Sequence, residues 1–569
     1  MQGTAPSFAG PAHRANDDGP ADEKDLHPPF FAPCLVASRV AAHQTGGRGD
    51  GFLSDRLAIG LGGTMAGSRG LGAGLAAFAF VSGTWAAQPV RLYPGVARTT
   101  GQNNTAWRSS AVLYNPTAST QSALLELLPR GGSAVAVSKT IDLTAGETRE
   151  IASLYDFLQA ASGAGMLRVT GDVMAWVRTF NEGSGTFGQD LHEITRNAGF
   201  PAHAEVAFPF STPGSLARDF RSNLMLVNLE PVDITVTATS GGLETTRTVP
   251  AGAYVQIDNL GGALGAAPGF GTALVSADGA WAAVISTIDP FTGDPTTVRG
   301  LPGVQGGPRD FVGVAQKAGS NGAAWRSEAI LYNPSDDPVS TTLDLVPRGG
   351  SEIRASATVQ LAPRETRRIG SLYEFLGAPD GAGVLRVSGP ALAWVRTYNQ
   401  RPHAGDTAKE TFGQDLPPTP SDGGIAPGAF MALPFNTPAS TASGFRSNLL
   451  LQNLDDHDIT VSLAAGGSPR TQAVPAGSYV QIDNLGAFLG AAVGEGCAWG
   501  IATGRWAATI STIDPLTNDP TTFRAALGSR PPSSSNLIDQ ALAKGVITSE
   551  QALTYKVFAQ VADPRLPAG

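Results

Sequence analysis

RSSAVLYN, at residues 108–115, returns as RSNLMLVN at 221–228, RSEAILYN at 326–333 and RSNLLLQN at 446–453. Places one, three, five and seven after the Arg hold Ser, Ala or Leu, Leu, and Asn. Alternation with period 2 is the signature of a strand with one face on a core. It assigns Leu113, Leu226, Leu331 and Leu451 to that core. The neighbours Met225 and Leu450 fall on the opposite face, expected to be partly solvated. The closing Asn, with Pro after it in two copies, is turn chemistry, because its side chain can bond the backbone ahead.

Two further landmarks fix the repeat. Ile151, Ile257, Ile369 and Ile482 follow their Arg by 43, 36, 43 and 36 residues. Thr179, Thr287, Thr397 and Thr512 follow their Ile by 28, 30, 28 and 30. The alternation spells A-B-A′-B′, a duplicated pair of modules. The extra length of A lies around LPRGGS (128–133) and VPRGGS (346–351), a longer hairpin. Leu recurs three and seven places after each Ile, as at Leu154 and Leu158 or Leu260 and Leu264, which predicts one short helix per module with that face on the core.

Six to eight short strands in roughly 100 residues, with frequent turns, is the pattern of an immunoglobulin-like sandwich. The fold class expected is therefore all-β: four tandem Ig-like β-sandwich modules with a short C-terminal helical pair. The boundaries read 92–200 (A), 201–302 (B), 308–426 (A′), 427–526 (B′) and 535–567 for the helices. A module of this size can bury its own core, so A′-B′ is expected to fold alone. Short Pro-containing linkers predict beads on a semi-rigid rod.

Charged residues are 15% of the 569-residue chain and the net charge is −9, which gives no electrostatic case for nucleic acid or an anionic membrane. Residues 1–64 read as disordered or untranslated. Residues 65–87 have a signal-peptide layout: Arg69, an apolar run from Leu71 to Val81, then small residues. That run is too short to span a bilayer, and no other stretch could, so the mature chain is expected to have no membrane span. The two cysteines, Cys34 and Cys497, are too few for a disulfide framework, and Cys497 reads as a small buried residue.

The modules resemble sandwich repeats of secreted bacterial proteins. Residues 536–567, with Leu-Ile, Ala-Leu-x-Tyr-Lys and Asp-Pro-Arg-Leu-Pro, resemble a helical segment that precedes the catalytic region in some secreted bacterial proteins classed as metallopeptidases. That resemblance implies a catalytic domain following the segment.

No catalytic motif is found. HEITR (192–196) has Arg196 where a second zinc-binding His would stand. EGSGTFG (182–188) lacks the strand-to-helix context of a nucleophilic Ser. Two features stand out. In IDPFTGDPTT (288–297) and IDPLTNDPTT (513–522), Asp289 with Asp294 and Asp514 with Asp519 are the candidate ligands for Ca²⁺, a hard cation that takes oxygen. The competing and favoured reading is a pair of self-capped Asp-Pro turns. TFGQDL (186–191, 411–416) offers an aromatic and an amide for a sugar surface, or else an edge strand at a module junction, the favoured reading. The sequence thus implies no cofactor beyond Ca²⁺. It points to a secreted or cell-surface, non-enzymatic spacer, adhesion or binding rod, with an extracellular protein or polysaccharide as partner. The alternatives are the accessory region of a secreted hydrolase and a carbohydrate-binding module array.

Overall fold

The structure, a computed structural model, describes residues 89–527 apart from 184, 304–306, 403–408 and 441. Cys34, the signal-peptide layout and the C-terminal helical pair lie outside the described residues. Module A runs β1 (Val90–Thr100), β2 (Ala106–Tyr114), β3 (Gln121–Pro129), β4 (Val137–Leu143), β5 (Thr148–Ile151), α1 (Leu154–Leu158), β6 (Gly163–Thr170), β7 (Met174–Glu182), β8 (Thr186–Leu191) and β9 (Ile194–Thr195). Module B repeats it as β10 (Val206–Thr212), β11 (Arg221–Asn228), β12 (Ile234–Ser240), β13 (Leu243–Val249), β14 (Tyr254–Ile257), α2 (Leu260–Leu264), β15 (Gly269–Ala277), β16 (Trp281–Ile288), β17 (Pro295–Arg299) and β18 (Leu301–Pro302). A′ and B′ repeat both in order.

Each module is a sandwich of antiparallel sheets. In B the layers are β13-β12-β15-β10-β18 and β14-β11-β16-β17. A has the same pairings, with the end of β1 bridging to β2. β2 pairs β5 and β3 pairs β6, as second with fifth and third with sixth in an immunoglobulin sandwich. The flanks differ: β1 lies beside β6 and β7 beside β2, where that scheme puts the seventh and first strands.

The repeated phrase is the centre of this layout. Leu113, Leu226, Leu331 and Leu451 are fully buried. The Ser hydroxyl of each copy shares a hydrogen with the matching Thr at 2.7 Å, as Ser109 does with Thr179. Each Asn amide donates to carbonyls of the loop it closes, as Asn228 Nδ2 does to those of Val232 and Val249. Among the described residues the four α-helices, α1, α2, Leu372–Leu376 and Leu485–Leu489, lie where Leu recurs, and Leu154 and Leu158 are buried. Cys497 is buried as well.

Two expectations are corrected. Met225 and Leu450 are not solvated: they are 2% and 4% exposed. Met225 packs with Val227 and Tyr254 of B against Leu128, Met166 and Ile194 of A. Leu450 and Tyr479 pack the same way on Val312, Val346 and Val384. Close approach is allowed by a bulge in β1, where Gly95 at φ +97° leaves its side-chain position to the Met225 sulfur, 2.7 Å from where a Cβ would stand.

Nor are the modules beads on a rod. Tyr114, Met174 and Trp176 of A belong to the hydrophobic core of B′, and Tyr332, Leu392 and Trp394 of A′ to that of B. The indoles donate to the carbonyls of Arg524 and Arg299 at 3.0 and 2.9 Å. The contacts run A to B, B to A′, A′ to B′ and B′ back to A, a closed ring with a pseudo-twofold axis. Two of the linkers contribute to the sheets: Phe200 pairs with Trp281, and Pro418–Pro420 forms a strand.

Candidate ligand clefts and the module junction

Four edge strands meet at the centre of the ring: β8, β17, Lys409–Leu416 and Pro520–Arg524. Exposed edges invite pairing with other chains, and here each is covered by a neighbouring module. TFGQDL is thus an edge strand at a module junction. Phe187 and Phe412 stack across the pseudo-axis with ring centres 5.1 Å apart.

The Asp-Pro loops clamp those strands. Asp289 caps its own turn, accepting the amides of Phe291 and Thr292 through Oδ1. Its Oδ2 crosses to A′ and accepts the Thr411 amide and hydroxyl at 3.1 and 2.7 Å. Asp294 accepts the Gly413 amide at 2.7 Å and faces Arg396 at 3.5 Å. On the other side of the pseudo-axis, Asp514 takes Thr186, while Asp519 takes the Gly188 amide at 2.7 Å and Arg178 at 3.4 Å. A Cβ at Gly188 would lie 2.6 Å from the Arg178 guanidinium, so any larger residue there would push the guanidinium aside. The four Asp candidates are therefore turned toward N–H and O–H donors of the neighbouring module. Among the described residues no group of three or more His, Cys, Asp or Glu is arranged to hold a metal ion.

Asp294 and Asp519 repel each other across the axis, and each has one oxygen, Oδ1, that is buried without a partner. Burial pushes both carboxyls up and the Arg178 guanidinium down. Arginine does not surrender its proton in a protein, so the shift falls on the carboxyls, which are driven toward keeping a proton between them. His192 is buried at the end of the junction, its pKa driven down by burial and then by Arg524 and Arg299.

The A–B joint is not sealed throughout. Beside its apolar contact lies an open cleft of about 480 Å³, and the A′–B′ joint carries its twin of about 490 Å³. The long hairpin of A forms one wall: the Gly131 amide bonds the Tyr254 carbonyl at 2.7 Å, and Arg130 faces Asp258 at 3.5 Å. Trp107 forms another, its indole held against the turn at Gly101 and Thr105. Asn223 and Gln189, each more than nine-tenths buried, line the cleft with Arg221. Their acceptor oxygens are spent within the protein: Asn223 Oδ1 takes the Asn259 amide, and Gln189 Oε1 takes the Ser286 hydroxyl. Their amide NH₂ groups, and the Arg221 guanidinium, have no hydrogen-bond acceptor among the described residues. The twin cleft repeats this with Trp325, Gln414, Arg446 and Asn448, and Arg446 Nε is buried without a partner.

Sequence reasoning marked the amide of TFGQDL, which is Gln189 and Gln414, but missed Trp107, Arg221 and Asn223. The available signal was polar residues at places zero and two of the B-type phrase, on the same face as the apolar Met225. No family model matches the chain, and no curated protein matches it.

Proposed function

We propose that this is a secreted, non-enzymatic binding protein of the bacterial surface or medium, whose four sandwiches form a frame for two ligand clefts. Secretion is supported by the signal layout at 65–87. The observation that carries the binding role is recurrence. The same aromatic, guanidinium and amides stand in the same places at both A-to-B joints, with donor groups that open on the cleft and have no acceptor among the described residues. A small set of convergent polar groups held in place on the wall of a cleft is the usual make-up of a ligand site, and donors without a protein acceptor there support an external one.

The test is capture of extracellular polysaccharide and cell-wall fractions by the immobilised full chain. Capture should be lost in the Trp107→Ala/Trp325→Ala double variant, and the recovered material should be unchanged in chain length. Capture that survives the double variant sinks the cleft assignment. Release of shortened products would mean catalysis.

A further inference from the structure

The character of the unspent groups narrows the ligand. Among the residues that recur in both clefts they are donors: a guanidinium and two side-chain amides. The charge has the same sense. The A–B cleft is lined by Arg130 and Arg221 against Asp258, two cations and one carboxylate. The A′–B′ cleft has Lys317, Arg348 and Arg446 against Asp483, three and one. Both clefts are thus net positive in a chain of net charge −9. A concave site of one sign within a body of the other concentrates ligands of opposite charge.

Arg130 and Arg348 have carboxylate neighbours, at 3.5 and 3.9 Å, whereas Arg221 and Arg446 have none within ion-pair distance among the described residues. A free guanidinium fork matches a carboxylate with two parallel hydrogen bonds. The neighbouring amides of Asn223 and Gln189 suit hydroxyl and ring oxygens, and the indole of Trp107 gives a flat, fixed wall. The indole and amides are already held by the fold, so little ordering is needed on binding.

Resting on the proposal that the clefts are ligand sites, we infer that each takes a uronic-acid unit of an acidic polysaccharide. The carboxylate sits on Arg221 in one cleft and Arg446 in the other. One chain then holds two points of the same polymer, and bivalent engagement raises avidity without new contacts.

The experiment is calorimetric titration of the full chain with a short oligogalacturonate, a neutral gluco-oligosaccharide and a sulfated dextran oligosaccharide. The oligogalacturonate should bind at two sites per chain and weaken as salt rises. Arg221→Ala/Arg446→Ala should weaken it at least tenfold while the melting temperature holds. Arg221→Lys/Arg446→Lys should recover part of the loss, since charge returns without the fork. Uronate binding unmoved by the alanine pair overturns the assignment. So does a preference for the sulfated ligand. Binding of the neutral ligand alone, abolished by Trp107→Ala/Trp325→Ala, overturns the uronate class but leaves the clefts as ligand sites. Absence of uronate binding overturns the class too, and the capture assay then decides the clefts separately.

Discussion

The ring has two kinds of joint, and they differ in how far they close on the space between the modules. Where A meets B′, and A′ meets B, Trp176 and Trp394 enter the neighbour's core and their indole N–H groups are satisfied. The arginines there have their carboxylates, and the cavity lined by Phe210, Phe270 and Trp394 is only about 50 Å³. Where A meets B, and A′ meets B′, an apolar patch sits beside a cleft nearly ten times larger with donors to spare. The first kind of joint closes the body. The second sacrifices closure to keep polar groups available, which is the arrangement of a site.

Breaking the sealed joint should have the largest effect. Arg178→Met leaves Asp519 buried beside like charge and should cost about 3–5 kcal/mol, the range for orphaning a buried charge. Trp176→Ala should cost a similar amount, about 3–5 kcal/mol, by emptying space in the B′ core. Denaturant melts of the full chain check both. Next comes the apolar patch of the open joint. Leu226→Ala and Met225→Ala should each cost roughly 2–5 kcal/mol in the full chain, because both strand faces are buried. A Met225 variant that melts like the parent would mean that A and B do not pack.

A pH series separates the junction from the clefts. Burial lifts the Asp415 carboxyl to about 6, and it lifts the Asp294–Asp519 pair. Such a group holds a proton in the fold at a pH where the unfolded chain, titrating near 4, has lost it. The folded state then binds more protons, so this stabilisation is whole below about pH 4 and is lost as the pH rises through the folded values. The melting temperature should therefore fall between about pH 5 and pH 8, and Asp415→Asn should flatten that fall. The smallest effect belongs to the cleft: Arg221→Ala removes no internal hydrogen bond and should shift stability by less than about 1 kcal/mol.

The modules were legible because each depends on local pattern. Period-2 placement fixed Leu226, and Leu at three and seven places after Ile marked the helices. The self-capping of the Asp-Pro turns followed from Asx chemistry. The ring was not legible, because a strand pattern states which faces are apolar but not what covers them. A clue was present: RSNLMLVN and WAAVISTI are apolar on both faces, as expected of strands buried on two sides. The outward reach of Asp289, Asp294, Asp514 and Asp519 had no such trace, since the Thr and Gly amides they hold are more than a hundred residues away.

The pseudo-twofold axis makes the central claim testable in one measurement. Residues 308–527 carry A′-B′ with both halves of the sealed joint: Arg396 and Trp394 on one module, and Asp519 with its B′ core on the other. Two copies can satisfy each other through the contacts that A and B supply in the intact chain, as an isologous pair does. Sedimentation velocity at micromolar concentration should show a folded dimer that Trp394→Ala returns to monomer. A well-folded monomer, unchanged by that substitution, would contradict the closed ring.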